Sequence, residues 1–272
     1  MKSLTSRDNP FFRQLIKLED SVRQRRAVGL TLLDGIHLIS AYRLALGPPK
    51  TLIVSESGCE NMEIKRLLAE QEADVDMVVL SDVLFREVSP VKTPTGIMAL
   101  ISIPPAATIS VHKDGKGERG EPFCVLLEAI QDPGNLGSIL RSAAAAGASD
   151  VYLSDGCADA WSPKTLRAAM GAHFLLRIHE RSDLAEVARA FNGKVVATTL
   201  KAKISLYQTR LTGPIAFVFG NEGVGLSDTV LQATSEQINI PMLGGTESLN
   251  AAAAAAVCFF ERVRQMKTDS SV

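Results

Sequence analysis

Short, uninterrupted apolar runs recur through this chain, and almost every one is followed by a loop and then by helical periodicity. In the C-terminal half they read FCVLLEA (123–129), DVYLS (150–154), FLLRI (174–178), KVVATTL (194–200), IAFVFG (215–220) and QINIP (237–241). Strands that are apolar at every position, not every second one, belong in a parallel sheet covered by helices on both faces. The stretches between and after them supply those helices: GSILRSAAAAGA, SPKTLRAAMGA, DLAEVARAF, SDTVLQAT and LNAAAAAAVCFFERVRQM. In such sheets ligands bind beyond the carboxyl ends of the strands, where loops enter helix N-termini. The strand-end loops are therefore where chemistry is to be sought.

A smaller α/β block precedes this one. An amphipathic stretch, NPFFRQLIKLEDSVRQRR, and a helix around GIHLISAYRLAL lead to the strand TLIVS; NMEIKRLLAEQ, VDMVVL, SDVLFREV and GIMALISI then alternate helix and strand. Between the blocks, residues 104–121 (PPAATISVHKDGKGERGE) are rich in Pro, Gly and charge and cannot form a core. The expected organisation is an N-terminal domain over 1–103, a linker over 104–121 and a catalytic domain over 122–272.

Composition narrows the setting. Hydrophobic residues make up 46% of the chain against 22% charged, enough for substantial cores. No apolar run approaches the roughly 20 residues of a membrane span, and MKSLTSRDNPFF lacks the apolar centre of a signal peptide, so a cytoplasmic location is expected. Cys59, Cys124, Cys157 and Cys258 are scattered, and His37, His112, His173 and His179 have no ligand spacing; no metal is expected. The net charge of −1 argues against indiscriminate coating of nucleic acid. Residues 1–26, however, carry seven basic side chains against three acidic, which makes Arg23, Arg25 and Arg26 candidates for RNA phosphate contacts as well as for a solvated helix face. Lys164 and Arg167, on the helix SPKTLRAAMGA, carry the same two readings.

Three strand ends share a style. LLEAIQDPGNLGSILRSAAAAGA (126–148) and FVFGNEGVGLSDTV (217–230) leave strands through glycine and asparagine into helices, and INIPML leads to GGTESLN (244–250) ahead of six alanines. None is a G-x-x-x-x-G-K-[ST] loop or a G-x-G-x-x-G fingerprint, which disfavours a phosphate-bearing cofactor. Glycine-rich loops with few charges offer close backbone approach and free N–H and C=O groups, suited to a flat base and an amino-acid moiety. The alanines have almost no side-chain bulk, so that helix can pack very close to its neighbours.

Taken together and in order, these three phrases resemble the three motifs of the SpoU (TrmH-like) branch of the SPOUT RNA methyltransferases, over roughly residues 122–268. The N-terminal block, ending in SPVKTPTGIMALI, is similar to the substrate-binding domain related to ribosomal protein L30e that often precedes this module. The resemblance implies a parallel α/β sheet with a deep trefoil knot, a homodimer, and S-adenosylmethionine-dependent methylation of a ribose 2′-hydroxyl, of ribosomal RNA in preference to tRNA. Matched by motif, Asn135, Arg141, Glu222, Ser248 and Asn250 are the implied catalytic positions. Thr199, Leu200, Gly220, Gly225, Ile240, Met242, Ser248 and Leu249 are the implied cofactor cradle. A ribose hydroxyl is a weak nucleophile at neutral pH and needs either a base or a cation beside its oxygen. Arg141 fits the cation more easily than the base, because guanidinium stays protonated. Glu222 could hold it by accepting from Arg141 or Asn135; Ser248 could cap the last helix, with Asn250 in its first turn. A non-catalytic RNA-binding or ribosome-assembly factor on the same fold is the rival reading.

Overall fold

Strand pairing resolves the chain into one mixed sheet and one wholly parallel sheet in a computed structural model of the protein, which describes residues 2–70, 75–108 and 121–269. Contacts group Met1–Pro105 with Trp161–Phe174 as one unit, and Ala106–Ala160 with Leu175–Val272 as the other. Most of the linker expected over 104–121, residues 109–120, lies outside the described residues.

The first unit runs β1 (Lys2–Leu4), α1 (Pro10–Asp20), α2 (Val22–Val28), β2 (Leu30–Asp34), α3 (Ile36–Leu46), β3 (Thr51–Ser55), α4 (Met62–Ala69), β4 (Asp76–Leu80), α5 (Asp82–Val88) and β5 (Ile97–Ser102). Its sheet order is β1-β4-β3-β5-β2, with β5 antiparallel to both neighbours. The amphipathic stretch after Asn9 is two helices, not one. Ser21 is extended (φ −115°, ψ 109°), ends α1 and caps α2 by accepting from the Gln24 N–H. Phe12, Leu15 and Leu18 of α1 bury against Leu32, Ile53, Leu80 and Phe85. The sequence reading passed over β1 and β2, whose runs of three and five residues are hard to separate from the flanking helices.

Arg25 corrects an expectation. It is 4% exposed, and its guanidinium donates to the Leu18 and Glu19 carbonyls at 2.6 and 2.8 Å, acceptors that the last turn of α1 leaves without intrahelical partners. It closes a helix end and is not presented to RNA phosphate.

The second sequence block supplies β6 (Phe123–Leu127), α6 (Pro133–Ala145), β7 (Asp150–Leu153), α7 (Pro163–Ala169), β8 (Arg177–His179), α8 (Leu184–Ala190), β9 (Lys194–Thr198), β10 (Ile204–Ser205), β11 (Ile215–Phe219), α9 (Asp228–Gln232), β12 (Glu236–Asn239) and α10 (Ala251–Asp269). All seven strands are parallel, in the order β10-β12-β9-β11-β6-β7-β8, as the continuously apolar runs require. On one face Cys124, Leu126, Val195 and Val218 pack with Leu184 and Ala188 of α8 and Val230 of α9. On the other, Phe123, Phe217 and Phe219 meet Phe259 of α10 edge-on, with centroids 5.5–5.8 Å away. Strand β12 lies between β9 and β10, which are consecutive in the chain, so residues 199–203 must pass across its end. The crossing is fastened by Thr199 N–H to the Ile238 carbonyl (2.9 Å) and Asn239 Nδ2 to the Ala202 carbonyl (2.6 Å). Helix α10 packs on alanine-rich α6, and Ala255 within the alanine run is fully buried while Ala253 is exposed.

Two charged clusters anchor the cores. At the amino ends of β7 and β8, buried Asp150 accepts from Arg177 Nε (2.7 Å) and Nη2 (2.5 Å) and from Ser149 Oγ (2.7 Å), with His179 Nε2 at 3.0 Å. Burial pushes this carboxyl up, but the hydrogen bonds and the Arg177 charge outweigh it and hold it well below the usual carboxylate range. The second cluster involves α7, which the sequence reading kept with the catalytic half. The structure packs Trp161–Phe174 into the first unit: Thr31 Oγ1 donates to the Trp161 carbonyl (2.6 Å), and Phe174 meets Tyr42 edge-on at 5.3 Å. Arg167 donates to Asp34 at 2.5 Å, where the carboxylate is only 1% exposed; burial pushes the Asp34 carboxyl up even so. Arg167 thus neutralises a buried carboxylate while 42% of its own side chain stays in solvent.

Candidate cofactor and active site

The loop after β11 is built around Asn221. Its backbone exchanges hydrogen bonds with Gly225 (2.9 and 3.2 Å), its Oδ1 accepts from the Gly223 and Val224 N–H groups, and its Nδ2 reaches the Ala129 carbonyl beyond β6 at 2.9 Å. The sequence reading missed Asn221, although an asparagine two residues before glycine is turn chemistry with a recognisable signal. Gly220 packs against the far side of the same loop. A β-carbon there would lie 2.4–2.6 Å from the backbone of Gly225 and Leu226, and Gly225 itself holds φ +75°.

These loops enclose a pocket of about 400 Å³. Thr199 and Leu200 enter it from the end of β9, and Gly220 and Gly225 from the loop after β11. Ile240 and Met242 line it beyond β12, and Ser248 and Leu249 ahead of α10, so every position matched to the cofactor cradle faces one cavity. Lys201 is the one Lys or Arg among the described lining residues, which suits a nucleoside and an amino acid better than a polyphosphate. Bare backbone at Gly220 and Gly225 and apolar walls from Leu226, Ile238 and Ile240 fit S-adenosylmethionine. Gly220→Ala should weaken its binding by roughly one to two orders of magnitude, from about 1–3 kcal/mol of overpacking strain, as read by calorimetry.

Beside the pocket runs a chain of amides ending on a carboxylate. Asn250 Nδ2 donates to Asn135 Oδ1 (2.9 Å), and Asn135 Nδ2 donates to Glu222 Oε1 (2.7 Å), joining residues 115 and 87 positions apart in sequence. Each asparagine also serves a helix start: Asn135 N–H donates to Asp132, the cap of α6, and Asn250 Oδ1 accepts from the Ala252 and Ala253 N–H groups. Asn250, not Ser248, therefore caps α10, because the helix begins at Ala251, two residues later than the expected start at Leu249. Glu222 is held by Asn135 and not by Arg141. Arg141 is exposed on α6, makes no hydrogen bond or ion pair among the described residues, and is not among the pocket's lining residues. Glu128, at the end of β6, accepts from Ser227 N–H (2.8 Å) and Oγ (2.7 Å) and so fixes the entry to α9; it too was missed.

Of the remaining RNA candidates, Arg23 and Arg26 are exposed, as is Lys164, whose charge partly offsets the upward push that burial gives the Glu19 carboxyl. Among the described residues no group of three or more His, Cys, Asp or Glu side chains is placed to hold a metal, and no helix is long and apolar enough to cross a membrane.

Known proteins share both the sequence and this geometry. Residues 122–260 match the SpoU rRNA Methylase family, and residues 9–99 match the MRM3-like substrate binding domain. The 23S rRNA (guanosine(2553)-2′-O)-methyltransferase RlmP of Bacillus subtilis is 30% identical over 96% of this chain and 98% of its own. The SpoU methyltransferase AviRb of Streptomyces viridochromogenes, solved with AdoMet, superposes with a TM-score of 0.79 at 27% identity, covering 96% of this chain and all of the other. An AdoMet-bound rRNA methyltransferase of Sinorhizobium meliloti gives a TM-score of 0.79 at 26% identity, covering 97% and 98%. With its motifs gathered at one pocket and its full length aligned to such relatives, the chain belongs to the SpoU rRNA methylase family.

Proposed function

We propose that this protein transfers a methyl group from S-adenosylmethionine to a ribose 2′-hydroxyl of ribosomal RNA. The observation that carries this reading is the meeting of the three strand-end loops at one cavity, with the Asn250–Asn135–Glu222 chain beside it. When bound, the cofactor supplies an electrophilic methyl group on a sulfonium. The residues of the chain position the acceptor. Asn135 can point only one way, since it must accept from Asn250 and donate to Glu222, and this fixes the carboxylate for the incoming ribose. Glu222 would accept the hydroxyl's hydrogen bond and take that proton as the oxygen is methylated, leaving an oxygen lone pair free for an in-line displacement at the methyl carbon. Arg141 stabilises the oxyanion that develops.

The passage of residues 199–203 across the end of β12 supports a knotted chain. A homodimer is supported by apolar side chains left in water: Leu200, Val224 and Leu249 line the pocket yet remain 66, 87 and 39% exposed, and Leu243 is fully exposed. Incubation with labelled S-adenosylmethionine and ribosomal or transfer RNA, followed by mapping of ribose methylation, tests the reading. Transfer to ribosomal RNA is expected; transfer to no RNA would overturn it in favour of a non-catalytic RNA-binding factor.

A further inference from the structure

A second cavity, of about 360 Å³, lies wholly within the first unit, at the end of β3, beside α5 and the loop before β5. Its floor is bare backbone. A β-carbon on Gly58 would sit 2.3 Å from the Gly96 carbonyl oxygen, and Gly96 holds φ +94°, so neither position admits a side chain without displacing the other. Ser55, 3% exposed, braces this contact by accepting from the Gly58 N–H at 2.9 Å. The rim is polar. Ser57 donates to Asp82 through its N–H (3.0 Å) and Oγ (2.8 Å), and those bonds lower the Asp82 pKa. Thr93 and Thr95 are exposed, with hydroxyls that make no hydrogen bond among the described residues.

Two cations complete the cavity. Arg86 and Lys92 line the cavity, are exposed, and form no ion pair or hydrogen bond among the described residues. A concave, hydroxyl-rimmed site with two exposed cations, of which Arg86 also acts on Asp82 through its charge, calls for an anion that also carries hydroxyls. Asp82 sharpens the choice: it repels a dense polyanion but accepts from a ribose hydroxyl. A cavity of about 360 Å³ is too small for a duplex, whereas an unstacked nucleotide can enter it.

We propose that this cavity takes one single-stranded nucleotide of the RNA substrate, its phosphate between Arg86 and Lys92 and its 2′-hydroxyl among Ser57, Thr93 and Thr95. The proposal rests on the methyl-transfer reading and adds a place where RNA is gripped apart from the reacting ribose. The experiment uses the full chain, transcribed 23S rRNA, a single-stranded oligoribonucleotide and the DNA of the same sequence. Arg86→Glu with Lys92→Glu should weaken binding of both RNAs by roughly tenfold at fixed salt and reduce the salt slope by about 0.7, the value for one phosphate of a single strand. Affinity for S-adenosylmethionine should stay unchanged, as evidence that the chain is folded. Thr93→Val with Thr95→Val should narrow the preference for RNA over DNA without altering the slope. Arg86→Lys with Lys92→Arg should keep wild-type affinity. Wild-type RNA affinity and salt slope in the double glutamate variant, in a preparation whose parent methylates ribosomal RNA, would overturn this site alone. A parent that methylates no RNA would overturn the underlying reading instead.

Discussion

Arg141→Ala is expected to lower kcat for methyl transfer by about 10²–10³-fold, the cost of losing one donor aimed at a developing oxyanion, while S-adenosylmethionine affinity stays at its wild-type value. The split between the two readouts follows from where the residue sits. Arg141 is exposed and makes no hydrogen bond or ion pair among the described residues, so its removal should change stability by no more than about 0.5 kcal/mol, and it is not among the described residues that line the cofactor pocket. Guanidinium stays protonated, so the lost function is that of a fixed positive charge and not of a base. Six residues of helix separate it from Asn135, about 9 Å of rise, and within one copy nothing ties it to Glu222. A homodimer resolves this if each subunit lends its arginine to the other's pocket. Mixing Arg141→Ala chains with Gly220→Ala chains, each impaired alone, should then raise transfer in the heterodimer above that of either variant, at S-adenosylmethionine concentrations too low to saturate Gly220→Ala. An undiminished kcat in Arg141→Ala would remove the residue from the mechanism, and failure of the mixture to recover activity would place its action within one copy.

Arg177→Ala should destabilise the protein by about 3 kcal/mol, lowering Tm by roughly 6–12 °C. Removing one partner of a buried ion pair leaves the other charged and poorly solvated. The figure is at the lower end of the usual range because Arg177 keeps 30% of its side chain in water, and Ser149 and His179 still serve Asp150. The pH dependence has a definite sign. Asp150 is held well below its ordinary pKa in the folded chain, so its contribution is complete above about pH 4 and fades as pH falls through the depressed folded value. In Arg177→Ala that value rises toward the unfolded one, so Asp150 contributes less and the variant's stability should fall less steeply in acid than the wild type's. Urea midpoints across pH 3–8 would measure both effects, and identical curves for the two proteins would refute them.

Patterns local in sequence were the ones legible from it. Runs apolar at every position announced the parallel sheet, and glycine loops at their ends announced a site, because both follow from what a few adjacent residues can bury or accommodate. The match to family motifs then assigned positions that the fold brings to one cavity. Less visible were roles set by a partner far along the chain. Arg25 and Arg167 look like surface cations until the end of α1 and the buried Asp34 are in place around them. Asn250 could be recognised as a cap only once α10 was seen to start at Ala251, and Asn221 as the loop's organiser only once Ala129 lay beside it. Strand β2 escaped because five residues between a glycine turn and a helix give periodicity too little to work on.

The excursion of Trp161–Phe174 bears on how such a protein can be cut, fused or inherited. Trp161, Leu166 and Phe174 are 6, 0 and 3% exposed, buried among residues that precede position 106. A fragment beginning at residue 122 would carry these side chains without their cavity, and a fragment ending at 105 would leave Asp34 without its guanidinium. The boundary written in the sequence by the Pro- and Gly-rich segment is thus not a line of scission. A recombination that swaps either half should therefore also carry the matching fourteen-residue segment or the residues that bury it.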